Sequence, residues 1–243
     1  MTRNMRDRLT ATALSALVLL LAPALGCGSK PTGGGNPNDP PYVPNIPAGW
    51  ASTATNPYLP LVPGTSYEYR GQTAQGLETI TVEVLRETRV VHGVTASVVR
   101  DRVYLDGELI EDTIDWYAQD AAGNIWYLGE DSKEIENGQV VSTEGSWEWG
   151  VDGALPGIIM WADPAAHLGT AYRQEYYEGE AEDWGKVAAL AQTAEVPAGR
   201  FSGCLQTDDW PGLEPAALER KYYAPQVGLV LETSPDGGER VEL

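Results

Sequence analysis

The sequence predicts an all-β fold: a single curved antiparallel sheet, a half-barrel or open barrel, of about a dozen strands with one long Trp-rich loop. Two observations predict it. Runs of β-branched and aromatic residues alternate with polar ones, as in 77–88, where Ile80, Val82 and Val84 share one face and Thr79, Thr81, Glu83 and Leu85 the other. Tight-turn pairs punctuate these runs at His92-Gly93, Asp106-Gly107, Asn137-Gly138 and Asp236-Gly237-Gly238. A sheet of that many strands curls rather than staying flat.

The central element is an aromatic hairpin over 115–130, turning at Asp120 to Asn124. On its first strand Ile114, Trp116 and Ala118 point one way, and Asp115, Tyr117 and Gln119 the other. On the return, Trp126 and Leu128 oppose Ile125 and Tyr127. Before it, residues 56–65 form a Pro-rich lead-in, and strands are expected over 65–70, 77–88, 94–105 and 108–119. After it comes a small hairpin around Asn137-Gly138. Residues 145–169 then fit neither a period of two nor one of 3.6, and read as a long ordered loop with a helical turn near 163–167. Strands resume over 170–179 and 181–196. Residues 186–194 are Ala-rich enough for a helix, but the Pro197-Ala198-Gly199 turn and the strand over 204–208 favour strand. Segments 218–223, 227–233 and 239–243 complete the sheet.

Three regions divide the chain. Residues 1–26 carry Arg3, Arg6 and Arg8 ahead of a short apolar run broken by Pro23, the layout of a secretory signal peptide. Ala24-Leu25-Gly26-Cys27 resembles the lipobox of bacterial lipoproteins, which implies cleavage before Cys27, lipidation (palmitate included) of that thiol and a membrane anchor. Gly28 in place of Asp is similar to the outer-membrane sorting class of Gram-negative lipoproteins; in another envelope the anchor would sit on the outer face of the plasma membrane. Residues 27–55 read as a Gly/Pro-rich disordered tether, and 56–243 as the folded domain.

The formal net charge is −19, and removing residues 1–26 takes three Arg and one Asp and leaves −21. Such a surface excludes nucleic acid as a partner. Cys204 is the one cysteine of the domain, so no internal disulfide is expected, and it reads as a small buried hydrophobe.

Asn56-Pro57-Tyr58-Leu59-Pro60-Leu61-Val62-Pro63-Gly64-Thr65-Ser66-Tyr67-Glu68-Tyr69 resembles the opening of an uncharacterised family of secreted bacterial proteins and lipoproteins. The segments 115–120, 124–130 and 222–230 are similar to that family as well. The resemblance implies an architecture and no catalytic residues. Val196-Pro197-Ala198-Gly199-Arg200-Phe201 is similar to a turn of half-barrel periplasmic lipoproteins, which implies a sheet with one concave face.

Candidate sites are few. His92 and His167 lie far apart in sequence, and neither an HExxH nor a GxSxG motif occurs, so a zinc site or a nucleophile triad is not expected. The aromatics are eight Trp and twelve Tyr against one Phe, a bias towards rings with a polar handle, suited to half-wet binding faces. Trp147, Trp149 and Trp161 are the candidate rim of a ligand site, with Trp116 and Trp126 of the hairpin beside them; the competing reading makes them core, since Ile158 to Trp161 prefers burial. Asp120 and Asn124 are candidate Ca2+ ligands, Ca2+ being the one cofactor considered. Acids cluster around the central hairpin (Asp112, Asp115, Asp120, Glu130, Asp131, Glu134) and around Gly179 (Glu175, Glu178, Glu180, Glu182, Asp183). The default for both clusters is a solvated edge that discourages aggregation. The expectation is a lipid-anchored extracytoplasmic binding or envelope-structural protein whose ligand is a small molecule, sugar, lipid or protein. A calcium-stabilised module and a carboxylate-based hydrolase are the alternatives, and a non-enzyme is favoured over an enzyme.

Overall fold

The computed structural model describes residues 41–213 and 215–243. Residues 1–40, with the expected leader, Cys27 and most of the expected tether, lie outside them. The strands are β1 (Ser66–Gln72), β2 (Leu77–Val91), β3 (Val94–Leu105), β4 (Glu108–Gln119), β5 (Ile125–Asp131), β6 (Glu134–Glu136), β7 (Gln139–Ser142), β8 (Trp147–Glu148), β9 (Leu155–Met160), β10 (Ala171–Arg173), β11 (Glu175–Tyr176), β12 (Asp183–Val196), β13 (Gly199–Pro211), β14 (Glu219–Ala224), β15 (Gly228–Thr233) and β16 (Arg240–Glu242). A single 3-10 turn spans Pro164–His167.

Thirteen strands run in the order β10-β12-β13-β14-β15-β16-β1-β2-β3-β4-β5-β9-β11, every named pair antiparallel, and curl into a barrel that is nearly closed. The hairpins form where the sequence places positive-φ residues: His92-Gly93, Asp106-Gly107 and Asn137-Gly138 all turn with both central residues left-handed. The remaining seam lies at Gln174. Residues 171–173 pair with β12 and 175–176 with β9, so one bent segment touches both edges of the sheet.

The β4–β5 hairpin sits inside the strand order, as its aromatic pattern implies. One detail of its alternation changes. Pairing runs Trp116 to Gly129, then Tyr117 to Tyr127, leaving Leu128 in a bulge. Gly129 allows it: at φ +139° a Cβ would meet the Trp147 carbonyl oxygen at 2.4 Å. The bulge puts Tyr127 and Glu130, three residues apart, on the same face as Tyr117 and Asp115.

The expected long loop over 145–169 is corrected. It contributes β9, which pairs with β5 and is buried along most of its length, and the short β8. A strand buried on both faces shows no alternation, which is why a period of two was invisible there. The strand reading of 186–194 holds, within β12.

Contacts with the barrel begin before Asn56. Tyr42 Oη donates to the Pro156 carbonyl (3.0 Å), Trp50 bridges to Asp120, and Thr55 N–H donates to Gln119 (2.7 Å). The lead-in then crosses the end of the barrel where β4 meets β5. Asn56 Nδ2 donates to the Gly123 carbonyl (2.9 Å), and Gln226 N–H, in the β14–β15 turn, donates to the Pro57 carbonyl (2.6 Å). Leu59 and Leu61 drop inward and join Val82, Val84, Val99, Ile125, Met160 and Leu229 in the main apolar cluster. This end, the upper one, is plugged by hydrocarbon.

Candidate functional site

The lower half of the barrel interior is carboxylic. Register carries the inward face continuously around the wall. Val99, Asp101 and Val103 of β3 oppose Asp115, Thr113 and Glu111 of β4, and Asp115 opposes Glu130 of β5. Glu78 of β2 opposes Gly71, Gly71 opposes Val241, Val241 opposes Glu232, and Glu232 opposes Lys221 of β14. Asp209 of β13 opposes Glu219, and Asp183 opposes Pro211 one step further down. Every residue in these rows faces the lumen, because paired residues share a face.

One wall, β2 to β5, is acidic without a buried base of its own. Asp101 is 1% exposed and neither of its oxygens accepts a hydrogen bond among the described residues. Its neighbours have partial partners. Thr113 Oγ1 bonds Glu111 Oε1 at 3.0 Å, and Tyr127 Oη donates to Asp115 Oδ1 at 2.6 Å. Glu111 Oε2, Asp115 Oδ2 and Glu130 Oε2 accept none. Burial is the largest cause of upward pKa shifts across the set, lifting Glu111 to about 8 and Asp115 to about 7. Asp101 and Glu130 go well above the usual carboxylate range for the same reason, reinforced by neighbouring acids and, at Asp101, partly opposed by the Lys221 charge.

The seam adds two more acids. Glu175 Oε2 accepts from Trp147 Nε1 at 2.5 Å, and burial together with Asp183 raises its pKa. Asp183 rises to about 7, again chiefly through burial.

The opposite wall, β13 to β15, holds the one buried cation among these described interior residues. Lys221 Nζ lies 3.6 Å from Asp209 Oδ2, 3.6 Å from Glu219 Oε2 and 3.7 Å from Glu232 Oε2. Burial pulls its pKa down, but the three acids outweigh burial and hold it well above the ordinary lysine value. The Tyr172 ring lies over Gly185, where a Cβ would meet it at 2.9 Å, and its hydroxyl is buried without a hydrogen-bond partner.

The solvated-edge reading is therefore corrected for Asp115, Asp120, Glu130, Glu175, Glu182 and Asp183, all buried, while Glu178 is exposed. Carboxyl groups do face one another in cross-strand pairs, as at Asp115 and Glu130, but each is closed to solvent.

The tryptophans go elsewhere. Trp116, Trp126, Trp147 and Trp149 are buried and Trp161 is partly buried, so no open aromatic rim is formed. Trp126 and Trp149 pack on Trp50, Arg89 lies 3.9 Å over Trp116, and Trp161 stacks on His167. Of the five, Trp147 reaches the acidic interior, through Glu175. Asp120 and Asn124 build the hairpin turn: Asp120 accepts from the backbone of Ala122 and Asn124, from Asn124 Nδ2 and from Trp126 Nε1, all at 2.8–2.9 Å. Among the described residues, no group of three or more His, Cys, Asp or Glu is arranged to hold a metal ion. Cys204 is fully buried beside Ala194, Val230 and Leu231. No described helix is long and apolar enough to cross a membrane.

The interior acids were readable in one respect. Glu111, Thr113, Asp115, Tyr117 and Gln119 fall on a single face of β4, the more polar one. Hydrophobicity alone would turn that face outward, yet it is the inward one.

No family model matches the sequence, and no curated protein matches it. A crystal structure of a protein from Parabacteroides distasonis ATCC 8503, provisionally named a lipoprotein, aligns over 76% of this chain and 94% of its own, with 12% identity and a TM-score of 0.37. That likeness is too loose to carry an inference about function.

Proposed function

We propose that this chain is a lipid-anchored extracytoplasmic binding protein, held to the envelope at Cys27, whose ligand is an organic cation taken by the acidic wall of β2 to β5. The observation that carries the reading is Asp101, a buried carboxyl with no hydrogen bond, flanked diagonally by Glu111 and Asp115. A fold gains nothing from such a group when Val103 and Val99 fill the same face two residues away. Lys221 supplies the pattern for the ligand: an ammonium surrounded by three carboxyls on the facing wall. Burial raises the pKa of these acids, so binding a cation displaces protons from them and strengthens as pH rises. Entry requires local opening, and the bent segment at Gln174, flanked by three-residue β10 and two-residue β11, is the thinnest part of the wall.

The test is thermal unfolding of the mature lipidated protein with spermidine, putrescine, calcium or a neutral disaccharide. The reading expects a polyamine-specific rise in Tm that grows with pH and disappears in Asp101→Asn. A rise with calcium alone would favour the calcium-stabilised module. No rise with any cation would overturn the reading. Membrane release of Cys27→Ala checks the anchor separately.

A further inference from the structure

Lys221 sits where side-chain chemistry is possible, not only charge pairing. Its side chain is 3% exposed, as Asp209 is 1% exposed, so water is excluded from both. The two are diagonal neighbours on adjacent strands: Lys221 opposes Thr207, and Asp209 opposes Glu219 two residues away. That spacing brings the ammonium to the carboxyl with both backbones held by the ladder. Gln174 and Thr207 present polar side chains to the Asp209 carboxyl. Glu219, directly opposite Asp209, and Glu232 also lie within 3.7 Å of the ammonium.

We propose that Lys221 and Asp209 condense to an intramolecular amide that cross-links β13 to β14. The Lys221 ammonium first gives a proton to Glu232. The freed Nζ lone pair attacks Cγ of the neutral Asp209 carboxyl, whose carbonyl electrons move onto oxygen. Nζ passes a second proton to Glu219, and the departing hydroxyl takes the proton from Glu232 to leave as water. One N–C bond forms and one C–O bond breaks. The amide retains one of the four starting protons, the water two, and the Glu219–Glu232 pair one. No oxidant or cofactor is consumed. The product replaces a buried ammonium and a buried acid with a neutral amide, and the closed interior keeps water from reversing the step. With no disulfide available within the domain, it would be the covalent brace of the sheet.

Tryptic digestion of the full-length mature protein, followed by mass spectrometry, tests this directly. The amide blocks cleavage after Lys221 and joins peptide 201–220, through Asp209, to peptide 221–240, one water below the summed masses. Lys221→Arg keeps the charge and is expected to abolish the joined species while leaving the fold intact by circular dichroism. Glu219→Gln is expected to lower the joined fraction at a fixed time after synthesis. Recovery of free 201–220 and 222–240 from folded wild-type protein would overturn the proposal. So would fragmentation placing the link on Glu219 or Glu232 instead of Asp209. The amide would remove the Lys221 charge that acts on Asp101, so the two ideas are separated by their readouts: peptide mass for the bond, the shift in Tm for the cation.

Discussion

The two ends of this barrel are built on the same strands by the same alternation, yet they hold opposite chemistry. At the upper end Leu59 and Leu61 close over Val82, Val84, Val99 and Ile125, a dry plug whose stability comes from hydrocarbon removed from water. At the lower end the same inward positions carry Glu78, Asp101, Glu111, Asp115 and Glu130. On β3 the change takes a single step, from Val99 to Asp101. The upper half needs only packing. The lower half needs protons or cations to be tolerable, and that makes it sensitive to solution conditions in a way the upper half is not.

The sharpest way to break the contrast is at Lys221. Lys221→Met leaves Asp209, Glu219 and Glu232 without Lys221, whether ion-paired or amide-linked, and is expected to cost about 3–5 kcal/mol in urea unfolding at neutral pH, less in acid. At the upper end Leu59→Ala, 5% exposed in the wild type, is expected to cost about 3 kcal/mol through the cavity it leaves. That loss should be the same in acid and in alkali, which is the discriminating feature. Asp101→Asn replaces a group held protonated with a neutral isostere. It is expected to change nothing near pH 4 and to stabilise increasingly as pH rises towards 8, by as much as about 1.4 kcal/mol per pH unit. Arg89→Ala removes the guanidinium that lies over Trp116 on the barrel's outer face and pairs with Glu148 at 2.6 Å, and should cost only about 0.5 kcal/mol.

Much of the architecture was legible in the sequence. Positive-φ pairs such as Asp106-Gly107 located the hairpins, alternation located β2 and β3, and the Pro197-Ala198-Gly199 turn arbitrated the Ala-rich segment now within β12. Two things were hidden. Strand β9 carries Ile158, Ile159 and Met160 buried in succession, so its face pattern is flat. The direction in which the carboxyls point was hidden for a different reason. Alternation on β4 separates Glu111, Thr113 and Asp115 from Ile110, Asp112 and Ile114, but it cannot say which set lies inside. Elementary hydrophobicity answers that wrongly, because neutral, protonated carboxyls can fill a barrel that ionised ones could not. The tryptophans read either as a rim or as core, and burial is physically open to them because indoles with a polar handle can satisfy it internally, as Trp126 does on Asp120 and Trp147 on Glu175.

The most direct test of the acidic interior is the pH dependence of the unfolding free energy. Glu111 sits near 8, and Asp115 and Asp183 near 7, when folded, against about 4 for unfolded chains. The folded state then binds more protons than the unfolded one, and the stability these groups contribute is complete below about pH 4. It is lost as pH rises through 7 and 8. The account expects a steady fall from about pH 5 to pH 8, approaching 1.4 kcal/mol per pH unit for each proton retained. The infrared band of protonated carboxyl groups should persist at pH 6 and vanish on unfolding. A stability that is flat or rising over that range, with every carboxyl ionised at pH 6 in the folded protein, would contradict it.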